Sequence, residues 1–201
     1  MKTKILEKSI EMFLNYGFKS VTMDDISEQL AISKKTIYTH YQNKTKLIEA
    51  TTMAIFEVIS TGIDAICELN KNPIEELYII KAFVMKHLKD EKSSPQYQLQ
   101  KYYPQLFQTL KMKQFEVMKD CVVENLRKGV EQGLFRKEIN LSFISRIYFV
   151  GITEIKDEET FPHSEFSPNS LLESFLEYHI RAIATEKGLK TLQNLLSKNE
   201  N

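Results

Sequence analysis

Glycine and proline are scarce in this chain, six and five among 201 residues. So few breakers leave little room for the turns of an antiparallel sheet. There are only two cysteines, Cys67 and Cys121. That is too few for a disulfide framework and fits a reducing, cytoplasmic setting. No apolar run approaches the ~18–20 residues that a bilayer crossing takes, so the sequence predicts no membrane span. The opening stretch MKTKILEKSIEMF has acids inside its apolar periodicity and no cleavage site, which reads against a signal peptide. Net charge is also missing: 27 basic residues face 27 acidic ones, so overall charge is silent about nucleic acid. There is no internal repeat, low-complexity segment, glycine-rich phosphate loop or nucleophile elbow. The histidines His40, His87, His163 and His179 are scattered, with no partners at metal-ligand spacing. The chain is therefore expected to have no metal site, no cofactor and no catalytic residues. Cys121, on an apolar face, reads as a core thiol.

What is present is helical period. Every long segment repeats its apolar residues at three and four, and none alternates. The expected fold is all-α with about nine or ten helices. The first runs over about 3–16, with Leu6, Ile10, Phe13 and Leu14 inward and Gly17 as its stop. Two short helices follow, then a long one over about 44–69. Asn72-Pro73-Ile74-Glu75 is a clear helix start, for a helix reaching about Lys92. Ser93-Ser94-Pro95 breaks the chain ahead of a short helix, about 95–102. Pro104 opens a long helix that Gly133 ends, Asn140 caps the next, and Ser167-Pro168 starts another to about Thr185. Gly188 is expected to interrupt that helix before a short amphipathic tail. The predicted division is a three-helix domain over 1–46 and a larger helical bundle over 47–201.

The most informative stretch is TMDDISEQLAISKKTIYTHYQNKTK, residues 22–46. Thr22 is a good N-cap, with Asp25 three residues on. Ile26 and Leu30 would face inward. Ala31-Ile32 makes the turn, Ser33 caps a second helix, and Ile37 and Tyr41 lie on its inner side. Between Glu28 and Glu49 there is no acid, yet Lys34, Lys35, Lys44 and Lys46 sit in the first turns of two helices. The helix dipole disfavours cations there by a few tenths of a kcal/mol each, so stability alone would not choose them. Residues 1–50 hold eight lysines and six acids. The functional reading is a helix-turn-helix whose second helix enters a DNA major groove. The bland alternative is two solvated helices with surface lysines.

The segment from about Ile5 to Leu47 resembles the DNA-binding domain of the tetracycline-repressor (TetR) family. The resemblance rests on Phe13, Gly17-Phe18, Val21-Thr22, Asp25-Ile26, Ile32-Ser33, the run from Thr36 to Tyr41, Asn43-Lys44 and Leu47. Ala31 and Lys35 stand where the family often has Gly, and Ser27 where it often has Ala. Ala31 must then take a conformation that Gly accepts more easily. The resemblance implies a ligand-responsive transcriptional regulator, expected to be a repressor on a palindromic operator. It implies Thr22, Ser33, Lys34, Lys35, Thr36, Tyr38, Thr39, His40 and Lys44 as DNA contacts. It also implies a helical bundle with a ligand pocket and a dimer surface.

For the pocket, Phe83, His87, Tyr103, Phe107, Met118 and Phe149 lie on apolar sides of central helices and suit a largely apolar or aromatic effector. The same residues serve equally as core. For a homodimer, Ile144, Ile147, Tyr148 and Gly151 fall at near-heptad spacing on one helix. Leu172, Phe175, Leu176 and His179 do so on the next. Two other functions remain open at this point. One is a helical enzyme or carrier using the bundle cavity, which the missing catalytic constellation argues against. The other is a DNA-binding regulator controlled by a protein partner.

Overall fold

The computed structural model describes residues 1–89 and 94–199. Among them are ten helices and no β-strand. In order these are α1 (Lys2–Tyr16), α2 (Met23–Gln29), α3 (Lys34–Tyr38), α4 (Lys44–Cys67) and α5 (Pro73–His87). Then come α6 (Pro95–Tyr102), α7 (Pro104–Glu131), α8 (Leu141–Glu154), α9 (Pro168–Ile183) and α10 (Glu186–Asn199). The all-α expectation holds. The expected end of the fifth helix near Lys92 and Ser93 of the following break lie outside the described residues.

The caps read from the sequence are made. Asp25 N donates to Thr22 Oγ1 at 3.1 Å and Thr22 N donates to Asp25 Oδ2 at 2.7 Å, a reciprocal capping box. The amides of Thr36, Lys46, Glu75, Phe143 and Ser170 donate to the side chains of Ser33, Asn43, Asn72, Asn140 and Ser167. Each such cap stabilises its helix by roughly 1 kcal/mol.

The chain packs as two compact units that differ from the division at residue 46. One comprises Met1–Ser60 and Met85–Met112, and the other Thr61–Val84 and Lys113 onward. In the first, Ile5 and Phe13 of α1, Ile26 of α2, Ile37 of α3 and Leu47 and Ile48 of α4 are almost fully buried together. Leu99 of α6 and Phe107 and Leu110 of α7 complete that core. Phe18 links the two groups, with its ring 5.3 Å from Phe13 and 6.2 Å from Tyr103. Burying each large apolar side chain contributes about 1.5–3 kcal/mol.

The second unit is built on Ile74 and Leu77 of α5, Val122 and Leu126 of α7, Tyr148 of α8, Leu176, Ile180 and Ile183 of α9 and Leu192 of α10. Its C-terminal end corrects one expectation. The break after α9 falls at Ala184-Thr185, where Thr185 N donates to Leu134 O and Arg136 N to Ile183 O, each at 2.9 Å. Gly188 lies inside α10, its N–H donating to the Thr185 hydroxyl. Its missing side chain has another cause: a Cβ there would collide with the Leu134 carbonyl oxygen.

One helix bears on the question of membranes. Among the described residues, α4 is long and apolar enough, by length and composition, to cross one. The apolar run within α4 is interrupted by Glu57 and Asp64, and the core helix of a soluble protein satisfies the same measure.

Candidate nucleic-acid interface

The helix-turn-helix is positioned from beneath. Ile26, Ile37, Tyr41 and Leu47 are buried, and this fixes which faces of α2 and α3 look outward. Thr22, Ser33, Lys34, Lys35, Tyr38, Thr39 and His40 are exposed. Thr36 and Lys44 are half-buried. The turn is tight because Ala31 adopts φ 51°, in the left-handed region, while its N–H donates to Glu28 O at 3.0 Å. A non-glycine residue there costs about 1–2 kcal/mol, as the departure from Gly at this position led one to expect.

The electrostatics are more structured than an acid-free window suggests. Lys34 Nζ lies 2.7 Å from Asp24 Oδ1, and this hydrogen bond pushes the ammonium pKa up. Lys46 Nζ pairs with Glu49 at 2.6 Å. Lys44 is held differently. Its Nζ donates to Lys19 O at 3.4 Å, and burial lowers its pKa while nearby Asp25 opposes that shift. The Thr22 N–H and hydroxyl hold the Asp25 carboxyl below the usual carboxylate range. Asp24 thus offsets part of the charge that Lys34 would bring to a phosphate, whereas Lys35 stands exposed at the start of α3.

Sequence reasoning missed the contacts that α6 makes with this domain. Gln98 Oε1 accepts from Lys19 N at 3.2 Å, and its amide lies where a Cβ on Gly17 would go. Gly17, at φ 85°, is thus held both by its conformation and by the close approach of Gln98. The Lys19 ammonium lies 5.3 Å from the Tyr102 ring centroid. No local signal marks a pairing across 79 residues.

The pocket candidates divide between the units. His87, Tyr103 and Phe107 belong to the first, and Phe83, Met118 and Phe149 to the second. Tyr103 and Phe107 pack with the first core. Met118 packs against the second, Phe149 meets Phe115 at 5.1 Å between ring centroids, and the Phe83 ring covers Gly62.

Of the dimer candidates, most are engaged within the chain. Tyr148, Leu172, Leu176 and His179 are buried, and Ile144 packs on the second core. Phe175 covers Gly151 at the contact of α8 with α9. Tyr148, Phe175 and His179 form a ring cluster with centroids 4.9–6.0 Å apart. Ile147 is exposed, as are Phe143 and Val150 on the same helix and Tyr178 on α9, which the periodicity left out.

Known proteins match this arrangement. The family model described as bacterial regulatory proteins, tetR family, matches residues 5–51. The biofilm operon icaADBC HTH-type negative transcriptional regulator IcaR of Staphylococcus epidermidis is 40% identical over 47 residues, 23% of this chain and 25% of that protein. The match thus spans about a quarter of that curated relative's length. Among solved structures, a regulator described as putative from Saccharomonospora viridis, in complex with choline, superposes with TM-score 0.73 at 14% identity, covering 92% of this chain and 98% of that one. SmeT, the repressor of the Stenotrophomonas maltophilia multidrug efflux pump SmeDEF, does so with TM-score 0.68 at 13% identity, covering 92% and 91%. Such low identities speak for the fold. Residues 5–51 of this chain are thus similar to the DNA-binding segment of the tetR family of bacterial regulatory proteins.

Proposed function

We propose that the chain is a DNA-binding transcriptional repressor of the cytoplasm, acting as a homodimer on a palindromic operator and released by a small, largely apolar ligand. The observation that carries the reading is the outward face of a fully cored helix-turn-helix. Lys35, Tyr38, Thr39 and His40 stand exposed on and just after α3, while Ile37 behind them is fully buried. That face has the size and polarity to enter a major groove, with Lys35 near base edges and Thr22, Tyr38 and Lys44 on phosphates. Repression is supported by the negative regulator to which the DNA-binding segment is related. Control by a small molecule is supported by the neighbour of like fold that holds choline. The dimer is supported by Phe143, Ile147 and Val150, exposed at i, i+4 and i+7 on α8, with Tyr178 exposed on α9.

The test is a salt titration of binding to the DNA that flanks the coding gene, read by fluorescence anisotropy. Wild-type protein binds that DNA more tightly than random DNA, and affinity falls steeply with salt. Lys44→Ala weakens binding to both and lowers the salt slope by about one unit. Lys35→Ala costs about 1–3 kcal/mol on the specific site and changes the sequence preference. Equal binding of wild-type protein to flanking and random DNA, with no salt dependence, would overturn the reading.

A further inference from the structure

Two thiols that lie far apart in the sequence meet in the second unit. Cys67 is the last residue of α4, and Cys121 lies within α7. Their Sγ atoms are 3.2 Å apart, although 54 residues separate them. Both are free and both are half-buried, so a small reagent can reach them. We propose that Cys67 and Cys121 form an oxidisable dithiol that closes to an intramolecular disulfide, tying the end of α4 to α7.

The chemistry balances with a hydroperoxide as oxidant. The Cys67 thiolate attacks the outer peroxide oxygen, the O–O bond breaks, and an alcohol, or water from hydrogen peroxide, leaves with the thiol proton. Cys67 is then a sulfenic acid. The Cys121 sulfur attacks it, the S–S bond forms, and the hydroxyl leaves as water with the second thiol proton. Two thiols are oxidised by two electrons and one peroxide is reduced.

The surroundings assign the order and the pace. Burial pushes both thiols up, further at Cys121. At Cys67 the hydrogen bond from Cys121 works the other way, so its thiolate forms first. Glu76 of α5 and Asp64 of α4 disfavour thiolate at both sulfurs, Lys128 of α7 favours it at Cys67, and Tyr148 of α8 lies near Cys121. The reduced pair is therefore quiet at neutral pH and reacts faster as pH rises. Once the sulfenic acid forms, the neighbouring sulfur captures it ahead of any external thiol. A short-lived, reversible disulfide of this kind suits a reducing compartment.

The test uses the full chain, reduced, freed of reductant and treated with hydrogen peroxide at pH 8. It is then denatured, alkylated with N-ethylmaleimide and weighed intact. The expected product is lighter than reduced protein by about 2 Da, the two thiol hydrogens. It takes up no maleimide, whereas the reduced control takes up two and dithiothreitol restores it. Cys67→Ser and Cys121→Ser show no such loss of mass. Wild-type protein that still takes up two maleimides after peroxide, or that links only into covalent dimers, would overturn the proposal. Both outcomes are read on the wild-type chain, so they stand even if a variant folds poorly.

Discussion

The environment of His179 is one that its position in the sequence did not announce. It lies on α9, buried against the rings of Tyr148 and Phe175. Burial pushes its imidazole down to about 4, from an ordinary value near 6.5. The folded chain thus holds the neutral ring, while the unfolded chain takes a proton more readily. The stability from this residue is complete above about pH 6.5 and is lost as pH falls toward 4. By pH 4.5 the loss reaches about 2–3 kcal/mol. His179→Phe keeps the ring and removes the proton site. Urea unfolding at pH 7 and pH 4.5 should show a smaller loss in the variant, and an equal loss in both would clear His179. Ala31 shows the opposite case, a residue whose conformation was legible. It stands where the family it resembles often has Gly, which implied a backbone that Gly accepts more easily, and its φ is positive. The difference is one of range. A turn is specified by its neighbours, whereas the rings around His179 come partly from α8, some thirty residues earlier by sequence number.

Elements were legible where their ends carry a side-chain cap. Thr22, Ser33, Asn72, Asn140 and Ser167 each start a helix within a residue of the expected place. What covers a helix was not legible, because periodicity identifies an apolar stripe without naming its partner. Gly151 shows this. The periodicity placed it on the candidate dimer stripe, and the space beside it is filled by Phe175 of the same chain. Gly151→Ala should therefore destabilise the monomer fold. The gain of about 1 kcal/mol in helix propensity is outweighed by crowding of about 1–3 kcal/mol. A drop in the urea midpoint is the expected result. A rise would mean that Phe175 swings aside without strain.

At the scale of the whole molecule, the candidate dimer face shifts from the buried stripe to the exposed one. Phe143, Ile147 and Val150 leave three large side chains in water along one edge of α8. A face of that kind, doubled by a two-fold axis, offers an apolar seam for a second copy of the chain. Val150→Asp places a charge on it and leaves the second core untouched, since Val150 is 52% exposed. Sedimentation velocity should find wild-type protein at twice 23.5 kDa and the variant as monomer with unchanged helical circular dichroism. Wild-type protein sedimenting as monomer at micromolar concentration would end the assignment. The discontinuity of the first unit also has a consequence for synthesis. Leu99, Phe107 and Leu110 belong to the core beneath the helix-turn-helix, yet the chain departs to the other unit between Thr61 and Val84 before supplying them. A ribosome that has made the first sixty residues has made every proposed DNA contact but only part of the core beneath them. The nascent reading head must wait, with part of its apolar underside open to chaperones, until translation has passed Leu110.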